Sequence, residues 1–420
     1  MIVLRLILES FRFAWNALKM NILRTVLSLL GVTVGIFAII SVFTIVDSLE
    51  KNVKQSFDFL GSGVIYVAKW PFTADNSGVY RWWDFWQRPN PSYSEFKFLE
   101  ANLANQSAIA IYADAGNVVV KRGNNSYYET ELTGGSYGYK DIFELEISDG
   151  RYFTQTEISS GRNVCIIGDE LVKSLFPNGE NPVGKEIKVR NKKFYVIGTL
   201  AREGESFLGF ESKDSYCVIP YDAFRTMYTT GTGNYNERGS TIGIKGSDED
   251  LGLVELEGEL TGMLRNRRGL KPRDDDNFAL NRPEAIANVL SGVFDVFGIA
   301  GWIIGGFSIL VGGFGIANIM FVSVKERTNI IGIQKSLGAQ NYFILFQFLF
   351  ESVFLSVIGG LGGLVLVLLI TFIPMGSLEV SLTFKNIVLG LGVSAIIGTV
   401  SGIIPAALAA RLDPVIAIRS

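Results

Sequence analysis

The residues best placed to do chemistry in this sequence are two cysteines, a run of three aspartates, one glutamate set in apolar sequence, and a short charged segment, VSVKERTNIIGIQKSLGAQ, at 322–340. Histidine is absent, which removes the commonest general base and metal ligand. Cys165 (in NVCIIGDEL) and Cys217 (in SYCVIPY) sit in apolar, strand-like runs. They are either a disulfide, permitted by an oxidising compartment, or two buried thiols. No CxxC or other metal-ligand spacing accompanies them. Asp274, Asp275 and Asp276 follow Lys271, Pro272 and Arg273 and read as a solvated turn. No GxxxxGK[ST] phosphate loop and no Ser-His-Asp or Cys-His arrangement occurs. We therefore assign no catalytic, cofactor-binding or metal-binding residue. Basic residues are not concentrated on residues 47–290, so nucleic acid is not an expected partner.

The charged segment is set off by what surrounds it. Residues 25–46, 296–324, 352–378 and 386–410 contain no charged side chain, and each reaches the roughly 20 residues that cross about 30 Å of hydrocarbon as a helix. The expected fold is a membrane protein with four transmembrane α-helices at 22–46, 291–324, 342–373 and 386–410. Residues 47–290 carry 35 acidic against 28 basic side chains, within the ordinary composition of a soluble domain. Arg5, Arg12, Lys19, Arg24, Lys325, Arg327, Lys335, Arg411 and Arg419 all fall on one side of a four-span chain. The positive-inside rule puts that side in the cytoplasm, with the 47–290 domain outside it. Within residues 1–21, Arg5, Glu9, Arg12, Asn16 and Lys19 form one polar stripe, as in a helix lying in the membrane interface. The segment 374–385 is a short loop on the far side, and 411–420 is a cytoplasmic tail.

Apolar spacing at Val46, Leu49, Val53, Phe57 and Leu60, and again at Ile286, Val289, Leu290, Val293 and Phe297, suits helices that run past the membrane as a stalk. The alternative is two unrelated amphipathic helices that cap the soluble domain. Between them, strand-like and helix-like runs alternate with glycine- and asparagine-rich turns, as in an α+β domain of two lobes, the second at about 134–244. Trp82, Trp83, Phe85 and Trp86 form an aromatic patch, either exposed to a ligand, partner or lipid, or tucked under the domain. Gly31 with Gly35 and Gly301 with Gly305 have the four-residue spacing that lets helices pack closely in lipid, within the chain or across a dimer. Glu351 either marks a transport path or anchors its helix near the head groups.

Residues 313–340, GFGIANIMFVSVKERTNIIGIQKSLGAQ, and the following ILFQFLFESVFLSVIGGLGG resemble the membrane module of FtsX-like permeases of ABC transporters. VCIIGDELVKSLFPNGENPVGKEIKVRNKKFYVIGTL, at 164–200, resembles the periplasmic core domain of the macrolide-exporter (MacB-type) branch. The likeness extends to NILRTVLSLLGVTVGIFAIISV and the closing GIIPAALAARLDPVIAIRS, and so covers the chain in order. It implies a permease of the inner membrane that pairs with a second copy or a paralogue. ATP and Mg would be held by a separate ATPase subunit, with a periplasmic adaptor and an outer-membrane channel as further partners. It also implies a coupling loop at 325–341, with Lys325, Glu326, Arg327, Ile331, Gly332, Ile333, Lys335, Leu337 and Gly338 keeping the family pattern. In that loop Ile331, Ile333 and Leu337 are the expected apolar contacts on the ATPase. Asn329, Ile330 and Gln334 depart from the pattern, leaving fewer charges and more apolar surface. Export is the leading expectation. The alternative is a mechanotransmitting regulator that acts on a cell-envelope partner and moves no substrate.

Overall fold

The computed structural model describes residues 22–56, 61, 63–74, 79–204, 212–247, 250, 252–373, 378 and 380–419, with backbone alone for 22–28, 55 and 418–419. The interfacial helix expected at 1–21, Phe57 and Leu60 of the stalk stripe, and part of the 374–385 loop lie outside the described residues. The chain divides into two compact units, Met1–Asn52 with Ser291–Ser420, and Val53–Leu290. Helix α1 (Ile22–Gln55) runs for 34 residues, about 50 Å at 1.5 Å per residue. That exceeds the hydrocarbon thickness, so the expected span at 22–46 continues as helix beyond it.

The unit Val53–Leu290 is built on one ten-stranded sheet among the described residues. Its elements in chain order are β1 (Val64–Ala68), α2 (Trp82–Phe85), α3 (Tyr93–Asn102), β2 (Gln106–Arg122), β3 (Asn125–Gly135), α4 (Tyr139–Ile142), β4 (Ile147–Gly150), α5 (Gln155–Ser159) and β5 (Val164–Ile167). There follow α6 (Asp169–Leu175), β6 (Glu186–Val189), β7 (Lys192–Leu200), β8 (Tyr216–Pro220), α7 (Tyr221–Arg225), β9 (Thr241–Gly246), α8 (Val254–Arg267) and β10 (Ala279–Asn281). Strand order is β10-β1-β9-β2-β3-β8-β5-β7-β4, with β6 joining β2 and β7. Alternation along β1 shows why both faces are covered. Ile65 and Val67 share a core with Phe96 and Leu99 of α3 and Leu256, Leu260 and Leu264 of α8. Val64 and Tyr66 point the other way, into a core with Tyr139 and Ile142 of α4. Ser92 and Thr154 start α3 and α5 with reciprocal hydrogen bonds to Glu95 and Glu157, the capping box that S/T-x-x-E spells.

The lobe borders expected at 134 and 244 fall inside β3 and β9. β9 inserts between β1 and β2, and β3 pairs in parallel with β8, so the two halves share one sheet. The cysteines are free thiols in adjacent strands of that sheet, both fully buried. β5 and β8 are antiparallel with Ile167 opposite Cys217, which sets Cys165 diagonal to Cys217 on the same face. Diagonal Cα atoms are about 7–8 Å apart, beyond the usual disulfide range, and burial pushes the Cys165 thiol pKa up.

The other unit contains α1 as far as Asn52, together with α9 (Pro283–Glu326) from Ser291 onward, α10 (Thr328–Ser336), α11 (Asn341–Thr371), α12 (Phe384–Ala410) and α13 (Pro414–Arg419). Among the described residues four helices are long and apolar enough to cross a membrane: α1, α9, α11 and α12. The expected packing glycines meet at one seam between α1 and α9. A methyl at Gly35 would lie 3.0 Å from the Ser308 carbonyl oxygen, one at Gly301 2.7 Å from Val42, and one at Gly305 2.2 Å from Ile39. Gly31 faces Gly312. These four positions are thus used inside the chain. α11 and α12 approach as closely, a methyl at Gly398 falling 2.7 Å from the Val353 Cα. Asn386 donates to Asp47 at 3.0 Å, and the Ser381 amide donates to Ser48 at 3.1 Å, pinning α12 and its leading loop to α1. On α9, Val293, Val296, Ala300, Ile303, Phe307, Leu310 and Phe314 remain exposed, at alternating spacings of three and four.

Candidate coupling site

Helix α9 ends at Glu326, and Arg327 leaves helical geometry before α10 begins. Thr328 Oγ1 donates back to the carbonyls of Val324 and Lys325 at 3.1 and 3.0 Å, satisfying acceptors that a helix end leaves open. α10 is nine residues long, about 13 Å. Its far end closes when the Gly338 and Ala339 amides donate to the Lys335 and Gln334 carbonyls. Gly338 adopts φ +99, a left-handed turn that a side chain would strain. The chain then extends through Gln340 into α11.

Two basic residues of the charged segment turn inward. Arg327 Nη1 lies 3.4 Å from Glu351 Oε2 of α11, and both side chains are largely buried. Glu351 is therefore anchored by an ion pair to the start of α10. Lys335 Nζ donates to the carbonyls of Ala410 and Leu412 at 2.9 and 2.7 Å. A cation there completes the open C-terminal carbonyls of α12 and faces the negative end of its dipole.

The apolar residues of α10 divide between two faces. Ile331 is 2 % exposed and packs with Met320, Ile344, Phe348 and Ala406. Gly332 is buried beside it inside an unbroken helix. The expectation that Ile331 meets a partner is thus corrected: its own chain covers it. Ile333 and Leu337 are outward, Leu337 at 84 % exposure, and Ile330 joins them. Residues 330, 333 and 337 follow helical i, i+3, i+7 spacing, a signal that reading Ile330 only as a departure from the family pattern passes over. Lys325 and Glu326 stand exposed at the edge. α13 packs against α10 with Ala417 buried and Val415 and Ile416 outward, a neighbour not evident in the sequence. The arrangement can receive an apolar groove on one face while its charges tie the other face to α11 and α12.

The aromatic patch also forms in space. Trp82, Trp83 and Trp86 are each about half exposed. Phe85 is half-buried, with ring centroids 6.5 Å from Trp70 and 5.6 Å from Tyr80. Lys69 lies among Trp70, Trp86 and Tyr235, and burial lowers the pKa of its ammonium. Among the described residues no group of three or more Cys, Asp or Glu side chains could hold a metal ion.

A family profile described as MacB-like periplasmic core domain matches residues 25–252, more than half of the chain. A second, described as FtsX-like permease C-terminal, matches residues 302–414. The pyoverdine export ATP-binding/permease protein PvdT of Pseudomonas aeruginosa is 30% identical over 423 residues, covering 99% of this chain and 59% of that protein. The macrolide export ATP-binding/permease protein MacB of Wolinella succinogenes is 30% identical over 417 residues, covering 98% of this chain and 61% of that protein. The chain therefore spans about three fifths of the length of these curated relatives. The crystal structure of the periplasmic region of MacB from Actinobacillus actinomycetemcomitans aligns over 55% of this chain and 94% of that one, at 19% identity and a TM-score of 0.43. Four apolar helices, the α+β domain and the two matched profiles place the chain in the family of MacB-like, FtsX-type ABC transporter permeases.

Proposed function

We propose that this chain is the membrane subunit of an export complex in which a separate ABC ATPase subunit binds Mg and ATP and moves α10. The chain then passes that displacement to the domain at 47–290. The observation that carries this reading is the two-sided construction of α10. Arg327 and Lys335 fasten it to α11 and α12, while Ile330, Ile333 and Leu337 face outward. A helix fixed on one side transmits force applied to the other instead of rotating under it.

The positive-inside pattern supports an inner-membrane topology with both termini and α10 in the cytoplasm and the large domain outside. The stripe from Val293 to Phe314 supports pairing with a second copy or a paralogue. Its alternating spacing is that of a two-helix seam, and the seam used within the chain lies on other residues. Relatives are named for export of pyoverdine and of macrolides. Export of a small molecule, with a periplasmic adaptor and an outer-membrane channel completing the path, is the corresponding reading here.

The test is purification of the full chain with its ATPase, comparing wild type with Leu337→Glu. Leu337 is so exposed that the fold should be unchanged. The expected result is loss of most of the retained ATPase with no change in thermal unfolding. Undiminished retention would contradict the docking role of α10. Retained ATPase with ATP-driven motion but no outward transport would point instead to the regulator.

A further inference from the structure

Lysine is almost never fully buried without a partner, because removing an ammonium from water is costly unless its donors are satisfied. Lys69 is 7 % exposed, and its ammonium makes one hydrogen bond, to the Tyr235 carbonyl oxygen at 3.0 Å. Around it stand the rings of Trp70, Trp86 and Tyr235, with centroids 5.3, 5.6 and 5.9 Å away. Those faces offset part of the lost hydration, but they do not accept hydrogen bonds as an anion does. Among the described residues no carboxylate pairs with Lys69. Two of its three N–H donors therefore have no acceptor among the described residues.

The walls of this cage reach solvent. Trp86 is 53 % exposed and Tyr235 47 %, and Trp82 and Trp83 extend the aromatic surface outward from Trp86. The juxtaposition has two parts of different chemistry: a buried ammonium with one acceptor among the described residues, and a half-exposed aromatic surface beside it. The surrounding domain is acidic overall, so attraction of an anion here rests on Lys69 itself.

We infer that Lys69 and the Trp70–Trp82–Trp83–Trp86 shelf form a binding site for a small planar aromatic anion. Its carboxylate or sulfonate is held by the Lys69 ammonium while its ring stacks on the tryptophans. This site is independent of the coupling role of α10, and its failure would leave that role untouched.

The test uses the full chain in lipid nanodiscs and two probes of nearly equal shape, 2-naphthoate and the neutral 2-naphthamide. Ligand-observed NMR measures both, with empty nanodiscs subtracted. Wild type should bind naphthoate about tenfold more tightly than naphthamide, the scale of one charge-assisted hydrogen bond. Lys69→Met should bring that ratio to about one while naphthamide affinity persists, and Lys69→Arg should keep the preference. Trp83→Ala should weaken both probes. If Lys69→Met does not fold, Trp82→Ala and Trp83→Ala carry the test, because both rings are exposed and each variant should lose affinity for both probes. Equal affinities in wild type, a preference that survives in Lys69→Met, or no binding of either probe at millimolar concentration would overturn the site. Quenching of the shelf tryptophans by brominated-acyl lipid would overturn it too, by assigning the shelf to the bilayer.

Discussion

Arg327 and Glu351 illustrate how a charge acts once its partner is known. Removing either one leaves the other largely buried without its ion-pair partner, whereas replacing both by apolar residues removes the difficulty along with the pair. Arg327→Met is therefore expected to destabilise the membrane unit by about 3 kcal/mol, with the double variant Arg327→Met, Glu351→Leu recovering most of the loss. Unfolding of the purified full chain measures this. Glu157 gives a pH-dependent counterpart in the other unit. Arg151 donates to both of its carboxylate oxygens at 2.8 Å, and these bonds hold its pKa at about 2, below the ordinary 4.5. A carboxylate depressed in the folded state contributes stability that is complete above about 4.5 and is lost as pH falls toward 2. Glu157→Gln should flatten that acid limb and lower stability at pH 7 by about 1–3 kcal/mol, the range allowing for the exposure of Arg151. The sequence marks Arg327, Lys335 and Glu351 as unusual. It does not say which charge meets which, because the partner lies on a helix whose approach is set by packing and not by spacing.

Helices were the most legible elements. The expected spans at 22–46, 291–324, 342–373 and 386–410 each lie mostly within an observed helix, since long apolar runs leave the backbone few alternatives in lipid. Helix α10 lies within the loop expected at 325–341, and the left-handed turn at Gly338 ends it. Gly338→Ala should shorten or loosen α10 at a cost of about 1 kcal/mol, because the left-handed turn at φ +99 disfavours a side chain. Amide exchange of residues 333–339 would register the change. Two glycines on α12 offer a sharper contrast. A methyl at Gly398 meets the α11 backbone at 2.7 Å, whereas one at Gly392 meets nothing within 4 Å. Gly398→Ala should lower the melting temperature clearly, and Gly392→Ala should leave it unchanged or slightly raised. The sheet was less legible. β9 lies between β1 and β2, a pairing between strands more than a hundred residues apart that no local pattern records. The aromatic patch was legible as composition, but the cage was not, since Lys69 and Tyr235 come from distant parts of the chain.

At the scale of the whole molecule, the charge asymmetry of the sequence is the basis of the proposed topology, and the exposed stripe on α9 is the basis of the proposed pairing with a second copy or a paralogue. The central claim is that work done on α10 by an ATPase is delivered to the domain at 47–290. Tyr128 is 63 % exposed on β3, while Cys165 and Cys217 are buried and slow to react with label. A spin label at Tyr128→Cys thus reports the separation of two domains in the assembled complex. Double electron–electron resonance in nanodiscs, with the ATPase present, should show a distance distribution that shifts on ATP binding and returns after hydrolysis. Leu337→Glu in the same background should abolish the shift while leaving the ATP-free distribution as it was. A distribution unaffected by ATP in the wild-type background, or a shift that persists in Leu337→Glu, would contradict transmission through α10.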